Sequence, residues 1–353
     1  MKINKFTVKV VAVLVGIAAA IGGSIAVANY LENKYADKPD GAGNALSRTE
    51  IDAANQDRNS VLDSSNAVQT INYNGKTYAY NNDLEVLLFI GVDDDEVIDY
   101  TTEGGPARNS AQSDMILLAI FDKDNQTYSL LQINRDTMVD MMKYDFFGTY
   151  QGLINGQIAL AHTYRSGLED SCEDTEFAVS RFLYDINISN YFCLTMDAIP
   201  IINDSVGGVT VTIEDDFSNI DPDFVKGETI TLHGDQAETY VRSRRSVVND
   251  PTNINRMGRQ REYMSALLPM LGQKTSNDSN FALKLFDKIS PYMVTDCTVD
   301  QLTSYIEQFS GYTLDKIVTP EGKSVEGEQF MEFYVDESNL RTLVIDLFYV
   351  EQN

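Results

Sequence analysis

Three runs of large apolar residues follow one another after about residue 84. They cover residues 86–92, 115–121 and 128–133, and none of them shows the polar alternation of a strand with one wet face. Such continuous apolar runs are typical of strands inside a sheet that is covered on both faces. The second and third runs are separated only by residues 122–125, so we expect them to pair antiparallel through a short turn.

Other parts of the chain show the spacing of helices. Helices interleaved with an internal mixed sheet predict an α/β sandwich. The segments with apolar residues at helical spacing are 157–164, 173–184, 255–271, 299–308 and 337–348.

Two further segments read as strands. Residues 71–73 and 76–78 flank Asn74-Gly75, a pair that tolerates the positive φ angles of a tight hairpin turn. Residues 209–213 alternate between apolar and polar side chains. We therefore expect a hairpin at the start of the folded domain and a strand near its middle.

The amino-terminal segment has the pattern of a membrane anchor. A lysine-containing tail, residues 1–9, precedes an uncharged and mostly apolar run, and we predict a transmembrane helix at 10–31 with its amino terminus in the cytoplasm. A cleaved signal peptide is the alternative, because Ala26-Val27-Ala28 fits a cleavage site. Both interpretations place residues 32 to 353 outside the cell, with a polar stalk at 32–68 and a folded domain at 69–353.

The net charge of the chain limits the classes of partner that it is expected to bind. The chain carries 53 acidic and 27 basic residues, a formal net charge of -26, which argues against a nucleic-acid-binding surface. Any anion site must therefore be a local basic island.

The three cysteines and two histidines carry a structural interpretation. Cys193 lies in an apolar segment and is expected to be a buried hydrophobe, whereas Cys172 and Cys297 have polar neighbours and are predicted to form a disulfide outside the cell. No CxxC or HxxxH spacing occurs, and His162 and His233 are interpreted as structural residues.

A basic island does occur between residues 242 and 261. A solvated basic face is the simpler explanation of such a run. However, Arg242 and Arg244 project the same way if their segment is extended, and Arg256 and Gln260 share one face of a helix. Arginine also suits bidentate contact with phosphate oxygens. The window contains arginines at 242, 244, 245, 256, 259 and 261, and Asp250 is its only acid.

Acidic side chains stand at the two far ends of the predicted central hairpin. Asp114 begins the first strand and Asp136 follows the second, so antiparallel pairing brings both carboxylates to one edge of the sheet. They are either acids that cap turns or the ligands of a magnesium ion beside a diphosphate, since Mg²⁺ prefers oxygen ligands.

Four motifs, in order and spacing, resemble those of the LytR-CpsA-Psr family. The resemblance runs over residues 84–271 and leaves 275–353 as a carboxyl-terminal extension. The motifs are Gln112-Ser113-Asp114 with Asn134-Arg135-Asp136-Thr137, Asp204-Ser205-Val206-Gly207-Gly208-Val209, Tyr240-Val241-Arg242-Ser243-Arg244, and Arg256-Met257-Gly258-Arg259-Gln260.

The resemblance implies a three-layer α/β/α sandwich around a mixed, largely antiparallel sheet, with an apolar pocket for a polyprenyl tail and a charged mouth. It implies that Asp114 and Asp136 hold Mg²⁺ and that these two aspartates and three arginines have catalytic roles. It also implies that residues of the predicted helix at 255–271 contact the substrate. The catalytic arginines would be Arg135, Arg242 and Arg244, and the substrate contacts Arg256, Arg259 and Gln260.

This chain departs from the family pattern at two positions. Family members often carry arginine where Gln112 stands, and another basic residue where Asp95 stands, so Arg108 is the candidate replacement.

The activity that the resemblance implies is transfer of a polyprenyl-diphosphate-linked glycopolymer, of teichoic acid or capsular polysaccharide type, onto peptidoglycan at the membrane surface. The alternatives are a lipid-diphosphate-binding regulator or scaffold without turnover, and a polyprenyl diphosphate hydrolase.

Overall fold

A computed structural model of the chain describes most of the carboxyl-terminal four-fifths. The predicted tail, membrane anchor and stalk, residues 1–9, 10–31 and 32–68, lie outside the described residues. Among the described helices, none combines the length and hydropathy needed to cross a membrane. The described ranges are 70–94, 109–145, 147–217, 219–243, 253–278, 281–309, 312–327 and 330–352.

The strands are numbered in chain order. They are β1 (Thr70–Tyr73), β2 (Lys76–Tyr80), β3 (Leu84–Val92), β4 (Ser113–Asp122), β5 (Thr127–Ile133), β6 (Met138–Tyr144), β7 (Tyr150–Gln157), β8 (Asn190–Leu194), β9 (Val209–Thr212), β10 (Thr229–Leu232), β11 (Met293–Thr295), β12 (Thr313–Val318), β13 (Gly322–Glu326), β14 (Met331–Val335) and β15 (Tyr349–Gln352).

The α-helices are numbered in the same way, and two short 3₁₀ helices are named by their residues. The α-helices are α1 (Glu169–Phe182), α2 (Ala198–Val206), α3 (Asp235–Arg242), α4 (Ile254–Asn277), α5 (Phe281–Ile289), α6 (Val299–Phe309) and α7 (Glu337–Phe348), and the 3₁₀ helices are Ile158–Thr163 and Ser290–Tyr292.

A six-stranded mixed sheet organises the domain. Its strand order is β11-β8-β3-β4-β5-β12. The pairs β3–β4 and β4–β5 are antiparallel, as is β11–β8 at one edge, whereas β3–β8 and β5–β12 are parallel. The predicted mixed and largely antiparallel sheet is therefore confirmed, and so is the hairpin through residues 122–125.

Both faces of this sheet are covered, which explains its unbroken apolar strands. In β4, Ile116, Leu118 and Ile120 face a core that also contains side chains of the 3₁₀ helix Ile158–Thr163, α1 and α7. The intervening residues Leu117 and Ala119 face a second core with residues of α5 and α6. A strand that buries side chains on both faces is built mainly from apolar residues.

The carboxyl-terminal extension is part of this architecture. Strand β12 adds to the sheet beside β5, and β13 and β14 form a hairpin. Strand β15 pairs with β2 of the predicted amino-terminal hairpin and so joins the two ends of the described domain in one small sheet. Residues 275–353 thus complete the fold.

The predicted disulfide between Cys172 and Cys297 is wrong for this structure. All three cysteines are free thiols. Cys172 and Cys193 belong to the core on one face of the sheet, whereas Cys297 packs against the core on the other face. The sheet therefore lies between Cys172 and Cys297. Their polar neighbours in the sequence were the reason for predicting the disulfide.

Candidate active site

The site begins at the open end of the β4–β5 hairpin. Ile116 pairs with Ile133, so the residues before β4 and after β5 meet at one edge of the sheet. After β5 the chain turns tightly: the amide of Thr137 donates to the Asn134 carbonyl at 3.0 Å. The Asn134 side chain accepts from the Asp136 amide at 3.1 Å. This turn holds Arg135 and Asp136 beside the start of β4.

Arg135 lies between the two aspartates. Its Nη1 forms an ion pair with Oδ1 of Asp114, and its Nε lies 3.6 Å from Oδ1 of Asp136. The exposed fractions of Asp114, Arg135 and Asp136 are only 5%, 6% and 3%. Charges so poorly solvated persist only when they are paired. The predicted convergence of Asp114 and Asp136 is thus confirmed, with a guanidinium between them.

Helix α4 brings a second arginine to the same carboxylate. Nη1 of Arg256 pairs with Oδ2 of Asp114, and its Nε donates to Oδ1 of Asn253 at 2.7 Å. Asn253 in turn donates to Oδ1 of Asn134 at 3.3 Å. We name Asp114, Arg135, Asp136 and Arg256 the acid–arginine cluster.

Gln260 lies one helical turn beyond Arg256 and also faces the sheet. Its Oε1 accepts a 2.9 Å hydrogen bond from Gln132, the last polar residue of β5. The side-chain oxygen of Gln132, Oε1, accepts a hydrogen bond from Nη1 of Arg261 at 3.0 Å. The predicted common face of Arg256 and Gln260 is confirmed.

Arg242 lies at the carboxyl end of α3, so this part of its motif is helical and the expected extended segment is wrong at Arg242. Its Nη1 donates to Glu238 at 2.7 Å, and its Nη2 pairs with Asp93, directly after β3. The side chain is 40% exposed, so Arg242 is more solvated than Arg135 and Arg256. Arg244 and Arg108 lie outside the described residues.

Arg259 is occupied by contacts within the protein. It donates to the carbonyl of Tyr240 at 2.9 Å and to that of Ser243, and it pairs with Asp215. Its guanidinium also lies over the ring of Phe217, 5.4 Å from the centroid. These contacts hold the end of α3 against α4, which places Arg242 near the site.

The oxygen donors of the cluster fit a magnesium ion. The Ser113 hydroxyl is buried beside Asp114 and has no hydrogen-bond partner among the described residues, whereas Oδ1 of Asp114 is paired with Arg135. Carboxylate and hydroxyl oxygens are the hard ligands that Mg²⁺ prefers. Asp114 and Asp136 would hold the ion if Arg135 moved from between them toward a bound phosphate.

Comparison with known proteins decides the family. The sequence profile of the LytR_cpsA_psr family matches residues 46–343. The chain belongs to this family. The matched range includes every residue of the acid–arginine cluster.

Two curated relatives carry transferase names. The teichoic acid transferase TagV of Bacillus subtilis, named for polyisoprenyl-teichoic acid and peptidoglycan, is 28% identical over 66% of this chain and 55% of its own length. The similarly named TagU of Bacillus licheniformis is 24% identical over 76% of this chain and 78% of its own length. The matches to the first three relatives span 55%, 58% and 61% of those proteins.

Solved structures share the fold. The crystal structure of B. subtilis TagV aligns with a TM-score of 0.56 and 23% identity, over 76% of this chain and 96% of that one. The structure of TagT bound to LI-WTA aligns with a TM-score of 0.54 and 20% identity, over 75% and 90% of the two chains. At this identity the likeness establishes the α/β fold alone.

One departure from the family pattern has a clear consequence here. Gln112, where family members often carry arginine, accepts a hydrogen bond from Nη2 of Arg135 through its Oε1. An arginine at this position has no acceptor to offer, so the contact depends on the glutamine. In this chain Gln112 therefore helps to orient Arg135.

Three amides that support the site were missed by sequence reasoning. Gln157 donates to Oδ1 of Asp136 at 3.0 Å and to the Met331 carbonyl at 2.6 Å, and the Phe333 amide donates to the Asp136 carbonyl at 2.8 Å. The carboxyl-terminal hairpin thus braces Asp136. The other two amides are Asn253 and Gln132. Gln132 is a polar residue within an apolar strand, and this exception to the pattern was the one sequence signal that pointed to a supporting amide.

Proposed function

We propose that this LytR_cpsA_psr protein is an extracytoplasmic, membrane-anchored phosphotransferase. It would move a glycopolymer from a polyprenyl diphosphate carrier to peptidoglycan. The observation that carries the proposal is the double ion pair of Asp114 with Arg135 and Arg256, which gathers residues from three separate elements into one buried cluster. The transferase names of the relatives agree with it.

The charge of the cluster suits a diphosphate and a divalent ion together. Two carboxylates and two guanidiniums cancel, 2 − 2 = 0, so the site alone has no surplus charge for an anionic substrate. Magnesium, when bound, would supply two positive charges and polarise a phosphoryl oxygen. Arg242, which is partly exposed and paired with Asp93, would add a further phosphate contact.

The residues then divide the work of the reaction. Arg135 and Arg256 would exchange their bonds to Asp114 for bonds to phosphate oxygens, which fixes the sugar-linked phosphorus and spreads its developing charge. An acceptor hydroxyl on peptidoglycan forms the new P–O bond, and the bond to polyprenyl phosphate breaks. Asp114 or Asp136 accepts the hydroxyl proton, and Arg259 keeps α3 and α4 together. No covalent enzyme intermediate is required.

The names of the relatives favour teichoic acid as the polymer class, with capsular polysaccharide as the alternative. Attachment to peptidoglycan sets a demand on location: the acceptor is outside the cell and the lipid carrier is in the membrane. The predicted anchor at 10–31 meets both demands.

The test uses the full-length chain in lipid vesicles with a polyprenyl-diphosphate-linked teichoic acid precursor, Mg²⁺ and peptidoglycan fragments. We expect an acceptor-dependent phosphodiester product and released polyprenyl monophosphate, identified by mass. Lipid phosphate released equally without acceptor would indicate a hydrolase. Binding of the donor without any release would indicate a scaffold. Addition of EDTA should stop product formation, and persistence of the reaction in EDTA would remove the metal from the proposal.

A further inference from the structure

Three soft metal ligands meet behind the active site. Nε2 of His162 lies 3.8 Å from Sγ of Cys172 and 3.7 Å from Sγ of Cys193. The three ligand atoms all lie within 4.8 Å of one another, and all three side chains are buried. They come from the 3₁₀ helix Ile158–Thr163, from α1 and from β8. We name them the Cys–His cluster.

The histidine is oriented as a ligand. Its Nδ1 lies 3.0 Å from the carbonyl oxygen of Ala111. A carbonyl can only accept, so Nδ1 carries the proton and Nε2 presents its lone pair to the two sulfurs. A backbone carbonyl that fixes the far ring nitrogen in this way is the usual support of a metal-binding histidine.

The spacing of the ligand atoms suits a single ion. Around a tetrahedral Zn²⁺, with Zn–S of about 2.3 Å and Zn–N of about 2.0–2.1 Å, sulfur and nitrogen lie about 3.6 Å apart. The two measured separations, 3.7 and 3.8 Å, are close to this value. The two sulfurs lie within 4.8 Å of each other, so the ion would bring them to the tetrahedral spacing.

Charge favours a divalent ion. Two thiolates and a neutral imidazole around a 2+ ion give a neutral complex, which an apolar core tolerates far better than a net charge. The Tyr191 hydroxyl is also buried here, without a hydrogen-bond partner among the described residues.

We propose that His162, Cys172 and Cys193 bind one Zn²⁺ ion through three protein ligands. Binding would displace the thiol protons to solvent, with no change of oxidation state. The ion would tie α1 and β8 to the 3₁₀ helix, whose Ala159 amide donates to the Arg135 carbonyl at 3.1 Å. His162 also holds Ala111, three residues before Asp114. The zinc would thus brace the turn that carries Arg135 and the segment before β4, and the inference does not depend on the proposed function.

The test measures metal in the full-length chain, isolated in detergent from cells supplied with zinc. We expect about one zinc per chain in the native protein and in Cys297→Ser, whose cysteine lies on the other face of the sheet. Cys193→Ser should lose the metal. Misfolding of Cys193→Ser would also cause loss of metal. A second measurement therefore replaces zinc by Co²⁺ in the native chain and records the thiolate-to-cobalt charge-transfer absorption.

The outcomes are distinct from those of the transferase assay. Stoichiometric zinc that depends on Cys193, with the cobalt absorption, supports the site. Native protein with no bound metal and three titratable thiols overturns it in favour of packed thiols. A Cys172–Cys193 disulfide found by mass spectrometry of the unreduced native chain also overturns it.

Discussion

Among the described residues, two buried networks of arginine and aspartate invite comparison: one contains residues of the motifs named above, and the other does not. The acid–arginine cluster joins residues from β4, the turn after β5 and α4. The other, the Arg165 network, consists of Tyr144, Arg165, Asp170 and Asp174. There Arg165 donates to Asp170 at 3.1 Å and to the Tyr144 hydroxyl at 3.1 Å, and Tyr144 donates to Asp174 at 2.8 Å.

The difference lies in where the charges come from. Arg165, Asp170 and Asp174 are close in sequence, and they fasten the start of α1 to β6. The acid–arginine cluster spans residues 114 to 256 and stands at the open end of a hairpin. Burial and charge are therefore not sufficient to mark a reactive site. Convergence of distant elements at a sheet edge separates a cluster that can exchange partners from one that fastens a helix.

The largest expected effect is at the aspartates of the acid–arginine cluster. Asp114→Asn and Asp136→Asn each remove one charge from the oxygen site, so transfer activity should fall by about 100-fold or more. Rates measured at several Mg²⁺ concentrations should show a weaker metal response. Asp140→Asn, an exposed acid on β6, serves as the control and should keep normal activity. Native rates in both site variants would refute the metal assignment.

A smaller effect is expected at Arg256. Lysine at this position cannot reach Asp114 and Asn253 at the same time, because a point charge lacks the planar fork of the guanidinium. We expect Arg256→Lys to lower kcat/KM by about 10-fold or more, by the loss of bidentate contact. Arg261→Lys, on the same helix, keeps one donor for Gln132 and should stay within about twofold. Equal losses at 256 and 261 would instead indicate a diffuse basic face.

The Arg165 network should respond in stability and leave the chemistry unchanged. Burial raises the pKa of Asp174 to about 8, against the attraction of Arg165. The folded state then holds a proton that the unfolded state releases, so the stability contribution is complete below about pH 4 and is lost as pH rises through about 8. Asp174→Asn cannot ionise and should flatten this dependence.

Thermal unfolding of the native chain and of Asp174→Asn at pH 5 and pH 8.5 checks the sign. The native chain should lose more stability over this interval than the variant, by on the order of 1 kcal/mol or more. Asp346→Asn, an exposed acid on α7, controls for the loss of a surface charge. Parallel pH dependences in all three proteins would contradict the assignment.

The sequence by itself determined the parts of this protein that depend on local chemistry. Unbroken apolar runs predicted a sheet covered on both faces, the short turn at 122–125 predicted the hairpin that brings Asp114 to Asp136, and helical spacing placed Arg256 and Gln260 on one face. The ordered motifs pointed to the family that the profile match confirms. Each of these features follows from residues within one element or from two elements joined by a short turn.

Only the tertiary structure decided how distant segments meet. It separated Cys172 from Cys297 by the sheet and placed Cys172 beside Cys193 and His162. It made residues 275–353 a brace for Asp136 and gave Arg259 contacts within the protein. A linear pattern records which face of an element is apolar, but it does not record which other element covers that face. Contacts between elements far apart in the chain depend on that choice, and the packed core makes it.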